Sequence, residues 1–168
     1  MTESEAPGAL ERVRTFLNTW WVPNDTRVAE DGLAATLDDP ADLEEMAELR
    51  AALRGALGVE RPGVLGAWLE RHPLRAGLSS DPGGPPIVLT PEDGTAAGRV
   101  LAVVAEAVRA GQWARLKACP DCSWVFYDHS RNGSRRWCVM SPGGSDARGC
   151  GSIAKVRAYR ERRRDLSG

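Results

Sequence analysis

Residues 116–140 read LKACPDCSWVFYDHSRNGSRRWCVM, and this stretch decides how the last third of the chain folds. It holds Cys119, Cys122 and Cys138; the last of the four cysteines, Cys150, follows in CGSIAKVRAYRERRR. Cys119-Pro120-Asp121-Cys122 is a turn in which two thiolates converge while backbone N–H groups point at the sulfurs. Ser123 to Tyr127 is rich in strand-forming residues, and Asn132-Gly133 is a hairpin-turn signal. The spacing therefore predicts a hairpin whose return strand, Arg135 to Met140, carries Cys138. Cys150 opens the final helix, where the positive end of the helix dipole favours a thiolate. Turn pair, hairpin and helix start together supply four sulfurs for one tetrahedral Zn2+. With every position filled, the ion is structural rather than catalytic. A module this small has too little core to fold alone, and zinc adds on the order of 10 kcal/mol in zinc-finger peptides.

Other uses of the cysteines fit less well. A redox C-x-x-C leaves Cys138 and Cys150 without a role, and no thioredoxin-like βαβ pattern surrounds it. His129 lies beside the hairpin turn and is expected to face solvent rather than replace a sulfur. A nucleobase-deaminase zinc needs H-x-E ahead of P-C-x-x-C. Here His72 is followed by Pro73-Leu74, and Cys119 is preceded by Ala118.

Outward from this stretch the charge changes sign. The 168 residues carry a net charge of -1, with 22 Lys and Arg against 23 Asp and Glu. Residues 1–114 hold ten basic and eighteen acidic side chains, net -8; residues 115–168 hold twelve and five, net +7. Such polarity predicts two parts, the second facing a polyanion. The first eight residues lack a basic region leading into an apolar run, and no apolar stretch is long enough to span a membrane. The expectation is a cytoplasmic protein with reduced thiols and no membrane partner.

The fold class expected is α+β, mainly helical: a helical N-terminal domain, 1–114, with a small β-hairpin, then a zinc-binding hairpin-plus-helix module, 115–168. Helices are predicted over Leu10–Trp21, from an Asp39-Pro40 cap to Gly58, over Arg61–Arg71, and over Thr95–Gln112. Within the stretch Leu74 to Glu92, Leu78, then Asp81-Pro82-Gly83-Gly84-Pro85-Pro86, then Ile87-Val88-Leu89 read as two short strands around a loose turn. His72 is expected to be exposed. Asp25, Asp38, Asp39 and Asp42 read as turn and cap residues. With no phosphate loop after a strand, no nucleophile elbow and no paired histidines, an enzyme is not expected.

The stretch Leu116–Cys122, then Trp124–Asp128, Ser130–Asn132, Ser134–Cys138 and the tail Lys155–Arg160 closely resemble the CGNR zinc finger. In that family the finger follows an ABATE domain, and the proteins are described as stress-induced transcription regulators. Phe16-Leu17-Asn18-Thr19, Asp42-Leu43 and Leu49-Arg50 resemble weaker ABATE signatures. Two departures stand out: Cys150-Gly151-Ser152-Ile153 replaces Cys-Gly-Asn-Arg, and Ser141 to Gly149 is an insertion, which a loop tolerates at small entropic cost.

The expected function is nucleic-acid binding, DNA first. Arg131, Asn132, Ser134, Arg135 and Arg136 surround the predicted turn, and Lys155, Arg157, Arg160, Arg162, Arg163 and Arg164 load the last helix. Cations there neutralise phosphates, while Asn and Ser add hydrogen bonds. Trp124, Phe126 and Tyr127 are base-stacking candidates, with core packing the expected role of Trp124 and Phe126. The alternatives are a protein-interaction module in which the basic helix docks on the acidic domain, within one chain or across a homodimer, and an RNA-binding protein. A small-molecule effector site on the first domain would use Trp20, Trp21 and Trp68.

Overall fold

The computed structural model describes residues 5–138 and 149–165. Among the described residues helix prevails over strand, and the strands form small antiparallel pairs, so the fold is α+β. Helix α1, Leu10–Leu17, buries Leu10, Val13 and Leu17 along one face. It stops four residues short of the predicted end, because Trp20–Trp21 forms strand β1, antiparallel to β2, Glu30–Asp31. The cause is tertiary: the buried Arg50 grips Asp31 through two hydrogen bonds of 2.7 and 2.5 Å and also donates to Thr19 Oγ1 at 2.7 Å.

Arg50 belongs to α2, Leu43–Gly55, which buries Met46, Leu49 and Leu53. A 3-10 turn, Pro40–Asp42, leads into it, and Asp39 caps that turn by accepting from Ala41 N at 2.9 Å, as the Asp-Pro pair predicts. Gly58, with φ +76°, turns the chain after α2 in a conformation open to glycine. Helix α3, Val64–Arg71, buries Leu65 and Trp68. The predicted hairpin is present as β3, Leu74–Leu78, against β4, Ile87–Pro91. Thr95 Oγ1 accepts from Gly98 N at 2.9 Å and caps α4, Ala96–Arg109, whose buried face is Ala97, Leu101, Val104 and Ala107. Helix α4 packs on α1, α2, α3 and β4.

His72 corrects the expectation of exposure: its side chain is buried at the end of α3 and stacks on Trp68. Its Nδ1 lies 2.6 Å from Asp93 Oδ2 and its Nε2 3.2 Å from Glu45 Oε1. One imidazole thus joins α2, α3 and the lead-in to α4.

After the 3-10 turn Trp113–Arg115, strand β5, Leu116–Ala118, runs antiparallel to β6, Val125–Tyr127. The second hairpin is therefore closed by the C-x-x-C turn and not by Asn132-Gly133. Residues 131–138 form no strand, which corrects the predicted return strand; Val139 and Met140 lie outside the described residues. The cause is the wholly buried carboxylate of Asp128. It accepts from Lys117 Nζ at 2.7 Å, Ser130 N at 2.9 Å and Arg135 N at 2.9 Å, while Lys117 also reaches the carbonyls of Gly133 and Arg135. These bonds coil the segment around a charge instead of laying it along a sheet. Helix α5, Cys150–Asp165, closes the chain.

The main core runs across residue 114. It joins Leu17, Leu49, Leu53, Leu101, Val104 and Trp113 to Leu116, Val125 and Tyr127. Among the described residues no helix is long and apolar enough to cross a membrane.

Candidate metal centre

Local backbone geometry builds the site first. Ser123 N donates to Cys119 O at 2.8 Å and Cys119 N to Trp124 O at 2.9 Å, so the turn closes on itself. Ser123 takes the left-handed φ of +60° that this closure demands. The turn presents Cys119 and Cys122, the coil around Asp128 delivers Cys138, and Cys150 is the first residue of α5. All four are buried and free of disulfide bonds, with every Sγ within 4.8 Å of the others. Cys122–Cys138, Cys138–Cys150 and Cys150–Cys122 stand at 3.5, 3.6 and 3.6 Å. A zinc tetrahedron with Zn–S near 2.3 Å has sulfurs roughly 3.8 Å apart, so the spacings among Cys122, Cys138 and Cys150 suit the ion and Cys119 lies in reach as the fourth ligand.

The electrostatics agree. Sulfhydryl donors from Cys122 and Cys138 hold the Cys119 thiol well below the ordinary range, and the Cys119 sulfur in turn drives Cys122 and Cys138 well above it. One thiolate suppresses its neighbours, and a divalent cation at the centre lets all four ionise. Zinc held by these four sulfurs has no protein-open position, so its contribution is folding free energy.

Around the sulfurs stands a shell taken from the first part of the chain. Asn24 Nδ2 donates to Cys150 Sγ at 3.1 Å. Arg27 donates to Asp121 O at 3.0 Å, and Val22 N to Cys122 O at 2.9 Å. Arg54 donates to Ser123 O and Leu17 O, both at 2.6 Å. Asn18 exchanges two hydrogen bonds with the backbone of Val125, at 2.9 and 2.6 Å, taking the place of a neighbouring strand. No signal in the sequence marks these residues as neighbours of the cysteines: Asn18 lies in the ABATE-like Phe16-Leu17-Asn18-Thr19, Asn24 reads as part of a Pro-Asn-Asp turn, and only folding brings it to a sulfur.

The expected nucleic-acid residues divide. Arg131, Asn132, Ser134 and Arg136 are exposed on the coil, and Lys155, Arg160, Arg162 and Arg163 are exposed on α5. Arg135 is half-buried: it donates to Trp137 O at 2.9 Å and to Cys138 O, with its guanidinium 5.2 Å from the Phe126 ring centre. It therefore pins the Cys138 loop. Arg157 and Arg164 lie on α5, but their side chains are outside the described ones, as are residues 141–148 of the expected insertion. Phe126 is buried among the cysteines, and Trp124 packs edge-on to Trp21 at 5.4 Å. Tyr127 is also buried, which removes it as a stacking surface. His129 is exposed, with Nε2 2.7 Å from Glu5 O.

The tryptophans expected at an effector site serve elsewhere: Trp20 lies under Arg54, Trp21 meets Trp124, and Trp68 is in the core. A cavity of about 640 Å³ opens instead between α1, the Asp38–Asp42 turn and α4. Phe16, Met46, Val100 and Val103 line it, with Arg12 and Asp42.

Four buried thiols delivered by a closed turn, a coil and a helix start define a structural four-cysteine zinc finger. Residues 115–163 match the CGNR zinc finger family. No curated protein matches the chain.

Proposed function

We propose that the chain binds nucleic acid, DNA first, through the surface of its zinc finger, as a cytoplasmic transcription regulator whose metal is structural. One observation carries this reading: Arg131, Arg136, Lys155, Arg160 and Arg162 are exposed and make no ion pair among the described residues. They keep this unneutralised charge although the rest of the chain is acidic, so a polyanion is the natural counterpart. A mobility-shift titration of the zinc-loaded protein with mixed-sequence duplex tests it. Affinity is expected to fall linearly on a log–log plot against salt, with a slope of about -0.9 per phosphate engaged. No retardation at about 50 mM salt would overturn the reading.

The apolar cavity between α1 and α4 supports a second element, an effector site on the first part. A screen of small amphipathic molecules by thermal shift is expected to raise Tm, and Val103→Trp to abolish the shift by filling the space.

A further inference from the structure

A cleft of about 580 Å³ lies between the C-terminal end of α2 and the zinc finger. Arg54, Lys117, Arg135 and Arg136 line it together with Ser134, and among the described residues no acidic side chain does. The sequence separates these groups widely. Folding brings Arg54 beside the finger through its bonds to Leu17 O and Ser123 O, with its guanidinium 4.7 Å from the Trp20 ring centre.

We propose that this cleft is a phosphate site for the nucleic-acid backbone, formed jointly by Arg54 of the first part and Arg136 of the finger. The inference rests on the nucleic-acid reading above and adds to it where the polymer is held and which residue of the acidic part touches it. Four points support it. First, the Lys117 charge is balanced by Asp128, whereas Arg54 and Arg136 make no ion pair among the described residues. Second, the hydrogen bonds of Arg54 among the described residues go to carbonyl oxygens and to no carboxylate; burial, and then the neighbouring Arg50, push its pKa down, and an approaching phosphate relieves that cost. Third, Arg135 is fixed on the carbonyls of Trp137 and Cys138, so a cation is held in place in the wall. Fourth, the exposed Ser134 lines the cleft and offers a hydroxyl, and Arg131, three residues earlier on the same coil, is exposed. An enclosed pocket would suit a free phosphate compound; this one is open to solvent, as a continuous strand requires.

The test uses full-length, zinc-loaded protein and a fluorescein-labelled 25-base-pair duplex of mixed sequence, with binding read by anisotropy across a salt series. Arg136→Ala is expected to weaken binding three- to tenfold at 0.1 M salt and to reduce the magnitude of the salt slope by about 0.9. Arg136→Lys is expected to restore most of the affinity, because a phosphate answers to charge. Ser134→Asp, which removes no described side-chain bond, is expected to weaken binding more than tenfold. The Arg54 side-chain Nε–H resonance is expected to shift on duplex addition together with that of Arg136. If these variants bind like the wild type while the Arg160→Ala/Arg162→Ala double variant weakens, the cleft is wrong and the nucleic-acid reading stands. If the wild type itself binds no duplex, that reading falls and the cleft with it. If a nucleoside triphosphate binds and duplex does not, the site serves a free phosphate compound and the proposal is overturned.

Discussion

Asn24 donates an amide hydrogen to the sulfur of Cys150 from the opposite end of the sequence. An N–H bonded to a coordinating thiolate spreads its charge and fixes its direction. Asn24→Ala is therefore expected to lower zinc affinity about 10- to 100-fold in a chelator competition while leaving the helices intact by circular dichroism. Asp128 is the other decisive residue. Its burial opposes ionisation, but bonds from Lys117, Ser130 and the Arg135 N–H outweigh that and hold its pKa down at about 2. A depressed carboxylate stabilises the fold above its unfolded pKa of about 3.9 and loses that contribution as pH falls toward the folded value. Asp128→Asn is expected to cost about 2–3 kcal/mol at pH 7 by urea unfolding. The gap between wild type and variant should hold steady above about pH 5 and close between about pH 4 and 2. At this scale the cysteines were legible because ligand spacing is local. Asp128, Asn24 and His72 were not, because their partners lie on other elements and are chosen only by packing.

Among elements, α4 shows how propensity yields to contact. A methyl group at Gly98 would sit 2.7 Å from both Asp93 Oδ1 and Pro91 Cβ, where the helix start presses on β4. A methyl group at the exposed Gly66 of α3 meets nothing within 4 Å. Gly98→Ala is expected to destabilise by about 1–3 kcal/mol despite alanine's higher helix propensity. Gly66→Ala is expected to stabilise by about 0.5–1 kcal/mol, and differential scanning calorimetry of both variants checks the opposite signs. Helices and the first hairpin were readable from apolar periodicity and turn residues. The second hairpin departs from expectation because Asn-Gly is a strong local signal, whereas Leu116–Ala118 is too short to announce a strand. What decides its pairing is the closed C-x-x-C turn, which sets Ala118 opposite Val125. Helix α1 ends earlier than its periodicity predicts for a related reason: nothing in Trp20-Trp21 discloses that Arg50 will hold its partner strand.

Taken whole, the molecule places its finger on the first part through a shared core and a set of bonds from residues 18–27 and 54. Chelation of the metal by a strong zinc chelator is therefore expected to reach beyond the finger. Amide exchange should rise throughout 116–127 and also at Val22, and Tm should fall by more than about 10 °C. Recovery on adding zinc completes the test, and metal analysis should give about one ion per chain. The charge asymmetry seen in the sequence has a structural counterpart in α5, where Lys155, Arg160, Arg162 and Arg163 are exposed.

The bonds from Asn18, Val22, Asn24, Arg27 and Arg54 have a thermodynamic corollary. Because each joins the first part to the zinc finger, at the C-x-x-C turn, at β6 or at Cys150 itself, the free energy of zinc binding and that of folding the first part are coupled, and coupling is reciprocal. Whatever tightens the first part, a ligand in the α1–α4 cavity included, must raise the affinity for zinc by the same factor by which zinc raises the affinity for that ligand. The finger is then a gauge of the acidic part's integrity, readable through its metal.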